Sequence, residues 1–156
     1  FEAQKILEKV YSDNSVSHIG NQWDKVRRIL GLSYIQDNNL EKGIELFKTT
    51  LRIGKDEVEK ELALKILVGC CGMQKNKKGI SYLKEYNHKK HETIKRVCSS
   101  SNKINLENLW EDCKEDLMYM NNYMLKVFEQ SPEISQLAYD NALFVSRITN
   151  LAYLFA

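Results

Sequence analysis

The fold of this chain is decided by residues 27–51, which read RRILGLSYIQDNNLEKGIELFKTTL. The apolar and small residues of this stretch recur at helical spacing on either side of a polar turn, residues 36–39. Gly31 and Gly43 have no side chain at positions where two helices would meet. We therefore expect a helical hairpin with a close helix contact, in which Tyr34 and Phe47 fill the surrounding space.

Composition favours a single helical domain. The chain has 156 residues, of which 43% are hydrophobic and 28% charged, enough to bury one core. One proline and seven glycines favour long helices over a turn-rich β fold. A net charge of +2 is too small to indicate nucleic acid or membrane as a partner, and no apolar run reaches the length of a membrane span.

Helical periodicity recurs along most of the sequence. It predicts helices over residues 1–11, 23–36, 40–53, 57–73, 78–87, 91–99, 105–130 and 132–154. Asp56 is predicted to cap the helix that begins at residue 57. Ser131, followed by Pro132 and Glu133, marks the start of the last helix, because serine caps and proline suits the first helical position.

A second hairpin repeats the pattern of the first. When Gly79 is aligned with Gly43, Ile80 aligns with Ile44 and the next apolar position also matches. This sequence resembles the tetratricopeptide repeat (TPR) family. The resemblance implies an all-α fold, a TPR-like α-solenoid of helical hairpins that ends in two longer irregular helices. It divides one helical-repeat domain, 1–156, into a partial hairpin (1–20), two hairpins (21–55 and 56–90) and irregular C-terminal helices (91–156).

The C-terminal third carries another resemblance. LENLWEDCKEDL, residues 106–117, and PEISQLAYDNALF, residues 132–144, resemble the helical region before the CHAT (caspase-like peptidase) domain of bacterial TPR-CHAT proteins. The resemblance implies a regulatory module whose family catalytic His and Cys would follow Ala156, so no residue here is assigned a catalytic role. Because the chain begins at Phe1 in helical rhythm and ends on an apolar run, we expect it to be a fragment of a longer protein.

The resemblance also implies a surface for a protein or peptide ligand, either from another protein or from the same polypeptide. In such arrays the first helix of each hairpin lines the concave face. The residues expected on that face are Lys25, Arg28, Leu32, Ile35, Glu61, Leu64, Val68 and Cys71. The alternative is that some of them pack against a neighbouring hairpin. Binding of chaperone tails is not expected, since Leu32 stands where the family's carboxylate clamp has its first Asn.

Histidines and cysteines offer little chemistry. His88 and His91 lie among lysines whose charges oppose a metal ion, so a solvated basic turn is the preferred interpretation. Neither Cys98 nor Cys113 has a histidine at a recognisable catalytic spacing, which favours buried thiols. The irregular spacing of the four cysteines argues against a disulfide framework and favours a reducing cytoplasm.

Charged clusters have similarly simple interpretations. The acidic residues Glu111, Asp112, Glu115 and Asp116 are expected on the solvent face of a helix. A basic stretch, residues 75–96, could hold phosphates, but acidic residues interrupt it and its tyrosines suit hairpin packing. The sequence thus predicts no catalytic site, metal or cofactor. It favours a non-catalytic protein–protein interaction and regulatory module; a free-standing TPR scaffold or chaperone-type peptide-binding protein is the alternative, and a nucleic-acid module a weaker third.

Overall fold

The computed structural model describes residues 2–13, 17–99 and 106–155, and all regular secondary structure in these ranges is helical. This confirms the all-α prediction. The seven helices described are α1 (Glu2–Tyr11), α2 (Asn21–Gln36), α3 (Leu40–Ile53), α4 (Glu57–Met73), α5 (Lys78–Ser99), α6 (Leu106–Val127) and α7 (Pro132–Phe155).

Side-chain caps fix several helix starts. Asp56 accepts hydrogen bonds from the backbone N–H groups of Val58, at 2.9 Å, and Glu59, at 3.3 Å. Ser131 Oγ accepts one from the N–H of Ile134 at 3.4 Å, immediately before the proline that begins α7. Both predicted caps are confirmed, because each supplies an acceptor to N–H groups that have no partner within the helix.

The prediction of two separate helices over 78–99 is wrong. The structure has one continuous helix, α5, which runs through His88 and includes His91. The residues between, Asn87–Lys90, are polar but include neither glycine nor proline, so nothing forces the helix to end. His91 accordingly lies within a helix and not in a solvated turn. Smaller differences are the start of α2 at Asn21 and the end of α6 at Val127.

The chain forms two compact units, residues 1–70 and 71–156. In the first unit α2 packs against both α1 and α3. A methyl group added at Gly31 would lie 2.7 Å from Cε2 of Phe47, and one at Gly43 would lie 3.0 Å from the carbonyl oxygen of Gly31. Phe47 is only 1% exposed. The predicted close contact between two glycine-bearing helices is therefore confirmed, and Phe47 fills the space beside it.

In the second unit α5 packs against α6 and α7, which also pack against each other. The buried polar side chains described in this unit are three asparagines, Asn87, Asn121 and Asn141, and the first two form a reciprocal pair. Asn87 Nδ2 donates to Asn121 Oδ1 at 3.0 Å, and Asn121 Nδ2 donates back to Asn87 Oδ1 at 2.9 Å. The buried apolar side chains of the three helices include Leu83, Tyr86, Leu117, Met120, Met124 and Ile134.

Two chain reversals share a local geometry. Asn38 and Lys75 adopt positive φ angles of 62° and 51°. The residue after each donates its N–H to a carbonyl five positions back, Asn39 to Tyr34 and Asn76 to Cys71, both at 2.8 Å. Such left-handed C-caps satisfy the last carbonyls of a helix. The reversals after α2 and α4 are thus built by the same hydrogen-bonding device.

The same kind of glycine contact occurs inside each of the two predicted hairpins. A methyl group at Gly43 would lie 2.8 Å from Cγ1 of Ile35, and one at Gly79 would lie 2.8 Å from Cβ of Cys71. Each member of the second pair follows its counterpart by 36 positions. Cys71 therefore has the place opposite a glycine that Ile35 has in the first hairpin.

A buried ionic network, which the sequence interpretation missed, ties the first unit together. Asp24 and Arg27 are both fully buried and form an ion pair on α2. Nε of Arg27 donates to Oγ1 of Thr50 on α3 at 2.8 Å, and Nη1 donates to the carbonyl of His18 at 2.8 Å. Asp24 Oδ2 accepts from two backbone N–H groups of the loop before α4, each at 2.8 Å. The network holds three segments against α2.

Candidate functional site

The expected partner face on α2 is only partly exposed. Lys25 and Leu32 are exposed, with Leu32 at 37%. Nε of Arg28 donates to both carboxylate oxygens of Glu59, at 3.0 and 2.9 Å, so this guanidinium is already engaged with α4. Ile35 is half-buried with its side chain against Gly43. Of the four residues expected on this helix, only Lys25 and Leu32 are exposed.

The expected face on α4 is mostly buried. Glu61 is partly exposed, but Leu64 and Val68 are 0% exposed and Cys71 is 3% exposed. The predicted exposure of these three side chains is wrong. Their apolar character reflects packing, which was the alternative interpretation, and an apolar position on a helix does not by itself indicate a binding surface.

A surface groove lies elsewhere, between α1 and α3 above α2. Its first part has a volume of about 500 Å³ and its floor includes the buried Leu30 and Leu46. An adjoining part of about 530 Å³ continues along α3. The two parts share a wall formed by Tyr11, Tyr34 and Lys42. We call these two parts together the α1–α3 groove. Apolar floors with polar walls are typical of ligand and peptide sites.

A chain of polar contacts joins α1 to α2 at this groove. Oγ of Ser33 donates to Oε1 of Gln4 at 2.8 Å, and Nε2 of Gln4 donates to Oε1 of Glu8 at 3.2 Å. Hydrogen bonds from Tyr34 and Gln4 lower the pKa of Glu8 below its ordinary value. Burial, followed by the hydrogen bond to Glu8 and its charge, raises the pKa of Tyr34 to about 12. Glu8 is therefore ionised and Tyr34 neutral near neutral pH.

Three lysines rim the first part of the groove. Lys5 and Lys9 extend from α1 and Lys42 from α3, and all three are exposed. Lys42 Nζ lies 5.3 Å from the centroid of the Tyr34 ring, a cation–π distance. None of the three forms an ion pair with another side chain that the structure describes. The charges of Lys5 and Lys42 act on Glu8, the single carboxylate among the residues lining this part, so the rim carries a net positive charge.

The histidines do not form a metal centre in the described part of the chain. His88 is exposed, whereas His91 is stacked on Phe144 with ring centroids 3.9 Å apart. Nε2 of His91 donates to Oδ1 of Asn141 at 3.0 Å. Burial is the main cause that lowers the pKa of His91 below its ordinary value. Among the described residues, no group of His, Cys, Asp and Glu is arranged to hold a metal ion.

The other side chains with chemical potential have structural surroundings. Cys70, Cys71 and Cys113 are buried, as expected of core thiols, while the side chain of Cys98 lies outside the described residues. Glu111, Asp112 and Glu115 are exposed on α6 as predicted, whereas Asp116, expected on the same solvent face, is half-buried and its Oδ2 lies 3.9 Å from Nζ of Lys90. In the basic stretch Tyr86 is 1% exposed, so it packs inside the second unit. Leu109 and Trp110, the Leu-Trp pair of the CHAT resemblance, have side chains outside the described residues.

Comparison with known proteins gives no match: no family model, no curated protein and no solved structure is similar to this chain. Among the described residues no helix combines the length and apolar character that crossing a bilayer requires. The assignment of function therefore depends on the residues of this chain alone.

The sequence does not predict the α1–α3 groove. Residue spacing indicates which side chains share one face of a helix, but it does not indicate how much space remains between packed helices. Lys5 and Lys9 are spaced by four residues, and this spacing alone predicts that they lie on one face of α1. That α1 and α3 would both pack on α2 and leave a gap above Leu30 depends on tertiary packing. The lysine pair, flanking a glutamate on an amphipathic first helix, was the available signal.

Proposed function

We propose that this chain is a non-catalytic helical-repeat module that binds another polypeptide. The observation that carries the proposal is the α1–α3 groove, with its apolar floor and charged rim. A polypeptide offers what such a groove requires, an apolar side chain for the floor and charged groups for the rim. The hydroxyl that donates to Glu8 in this groove belongs to Tyr34, whose pKa is raised to about 12, so it is not an activated nucleophile and binding is the chemistry for which the lining residues are suited.

The repeated hairpin supports this role. Helical hairpins that stack on copies of themselves form extended surfaces that are commonly used to hold polypeptides. The recurrence of the glycine contact 36 positions later, together with two similar chain reversals, is the observation in favour of a TPR-like α-solenoid. We also propose a cytoplasmic location, because the free thiols of the buried cysteines suit a reducing compartment.

The regulatory context proposed for the module is the region before a CHAT domain in a bacterial TPR-CHAT protein. In that setting ligand binding to the hairpins would shift the conformational balance of a downstream peptidase domain, through unequal affinity for its two states. The alternative is a free-standing scaffold or chaperone-type protein. The full open reading frame discriminates between them: a downstream segment with caspase-like His and Cys contexts supports the first, and a stop codon soon after Ala156 supports the second.

Selection from a displayed library of random peptides, about 12 residues long, tests the binding function directly. The chain is immobilised, selected peptides are synthesised, and their dissociation constants are measured by fluorescence anisotropy. We expect peptides with dissociation constants in the micromolar range, about 1–100 μM, which is typical of short unstructured ligands. Failure to recover any saturable binder from several independent libraries would contradict the proposed function.

A variant of the concave face that the sequence predicts on α2 and α4 then tests whether the ligand binds there or in the groove. Leu64 is fully buried, so an aspartate there would disrupt the core and could not report on binding. Leu32→Asp combined with Lys25→Glu changes only exposed side chains of α2. Because the proposed groove lies between α1 and α3, we expect this double variant to bind the selected peptides with unchanged affinity.

A further inference from the structure

The α1–α3 groove also indicates the chemistry of its ligand. We infer that it binds an acidic polypeptide segment, in which an apolar side chain is flanked by Asp or Glu. This inference rests on the proposed polypeptide-binding function and specifies the partner of that site. It follows from how the charges in and around the groove are already used by the protein.

The negative charge in the first part of the groove is already engaged. Glu8 is the one carboxylate among the residues lining that part, and it accepts hydrogen bonds from Gln4 and Tyr34. A ligand cation that paired with Glu8 would compete with these two donors. The carboxylate therefore orders α1 on α2 and is poorly suited to select a basic ligand.

The positive charge, in contrast, exceeds what the protein uses. Lys5, Lys9 and Lys42 line the same part of the groove, and the charges of Lys5 and Lys42 act on Glu8, the single carboxylate that lines this part with them. Lysines on two helices that face one groove give a local positive potential, which attracts acidic segments and steers their approach. The charge complement of the groove is thus a ligand with at least two carboxylates.

The floor sets a second requirement. Leu30 and Leu46 lie beneath the groove with little exposed area, so the half-buried rings of Tyr11 and Tyr34 in its walls are the apolar surface that a ligand can cover. Apolar and aromatic surface of this kind contributes to affinity when an apolar ligand side chain covers it. Simple anions cannot satisfy the floor, so the ligand is a polypeptide with an apolar residue between its acidic groups.

The second part of the groove has a different charge and orients the ligand. Glu41 and Glu45 line it, and Glu45 lies 3.2 Å from Nζ of Lys48. Since these carboxylates would repel acidic side chains, the acidic part of the ligand lies in the first part of the groove, beside the three lysines. The less acidic end of the segment continues along Thr49.

The test uses a fluorescein-labelled peptide of about 12 residues, with Leu and Phe at its centre and two Glu on each side, and a matched peptide with Gln in place of Glu. Dissociation constants are measured by anisotropy for the full chain, for Lys5→Gln/Lys9→Gln/Lys42→Gln, and for the control Lys77→Gln/Lys84→Gln/Lys95→Gln. Both triple variants remove three positive charges from exposed positions. Only the first changes the groove, so non-specific attraction is controlled.

We expect the unmodified chain to bind the Glu peptide about tenfold more tightly than the Gln peptide. The groove variant should lose about tenfold or more in affinity for the Glu peptide, and the control less than about threefold. Equal losses in the two variants, or equal binding of the two peptides, would overturn the inference. Binding of single-stranded RNA that depends on the same three lysines and excludes the Glu peptide would overturn it as well.

The outcome separates this inference from the proposed function. If library selection yields peptides that bind well and are unaffected by the groove variant, the chain holds polypeptides at another site and the inference about the groove is wrong. If no peptide of any composition binds, both the proposed function and the inference fail.

Discussion

At the scale of single residues, the buried ion pair of Asp24 and Arg27 is the feature of the first unit that we expect to tolerate substitution least. We expect Asp24→Asn to lower the free energy of unfolding by about 3 kcal/mol, because it leaves the Arg27 guanidinium buried without its counter-charge. Urea denaturation measures the change. Glu45→Gln is the control, since it removes a carboxylate from an exposed pair and should cost less than about 0.5 kcal/mol. A loss below about 1 kcal/mol for Asp24→Asn would contradict the network's role.

His91 is the residue from which we expect a pH dependence of stability. Its pKa is lowered in the folded state, mainly by burial, so the unfolded chain takes up this proton first as the pH falls below the ordinary value of 6.5. The contribution of His91 is fully present above that pH and is lost as the pH falls towards the lower folded-state pKa. The slope from this one group is at most about 1.4 kcal/mol per pH unit.

The measurement is the free energy of unfolding between about pH 8 and pH 5, for the unmodified chain and two variants. His91→Gln should flatten the profile in the acidic range. His88→Gln, which changes an exposed histidine on the same helix, should leave the slope as it is. Equal flattening by the two substitutions would show that burial of His91 against Phe144 does not set the pH dependence.

At the scale of helices, the glycine contact between α2 and α3 makes a prediction with an internal control. Gly31→Ala should destabilise the chain by about 1–2 kcal/mol, because the added methyl group would overlap the Phe47 ring by more than the helix preference of alanine can offset. Gly69→Ala on α4 meets no atom within 4 Å and should stabilise by about 0.5–1 kcal/mol. Thermal or urea denaturation measures the change in unfolding free energy for each variant. The prediction requires the two changes to have opposite signs.

Helix positions were largely predictable because they depend on local rules. The spacing of apolar residues and the cap at Asp56 placed α3 and α4 at the correct bounds, and the cap at Ser131 placed the start of α7. The continuous α5 was not predicted, because a run of polar residues is compatible with both a break and a continuing helix. The burial of Leu64 and Val68 was not predicted either, since which apolar face is covered depends on neighbours distant in the sequence.

The candidate site was less predictable than the helices. Its lining comes from three helices, and the space left between helices cannot be measured from residue spacing. The buried network of Asp24 was likewise invisible, because it depends on a loop more than thirty residues away whose backbone N–H groups point at the carboxylate. Tertiary placement, more than residue type, decides both features.

At the scale of the whole molecule, the central claim is that the chain holds a polypeptide in the α1–α3 groove. No residue of α1 is buried, so this helix should exchange its amide hydrogens quickly in the unliganded chain. A ligand that spans α1 and α3 would stabilise α1 and slow its exchange. The buried core of α3, with Phe47 1% exposed, should change little.

Hydrogen–deuterium exchange with mass spectrometry, with and without the Glu peptide at saturation, tests this claim most directly. The account predicts slower exchange in segments covering Glu2–Tyr11 and the first turns of Leu40–Ile53, and no change in Pro132–Phe155. Unchanged exchange throughout residues 2–53 at saturating peptide, or protection confined to residues 78–155, would contradict it.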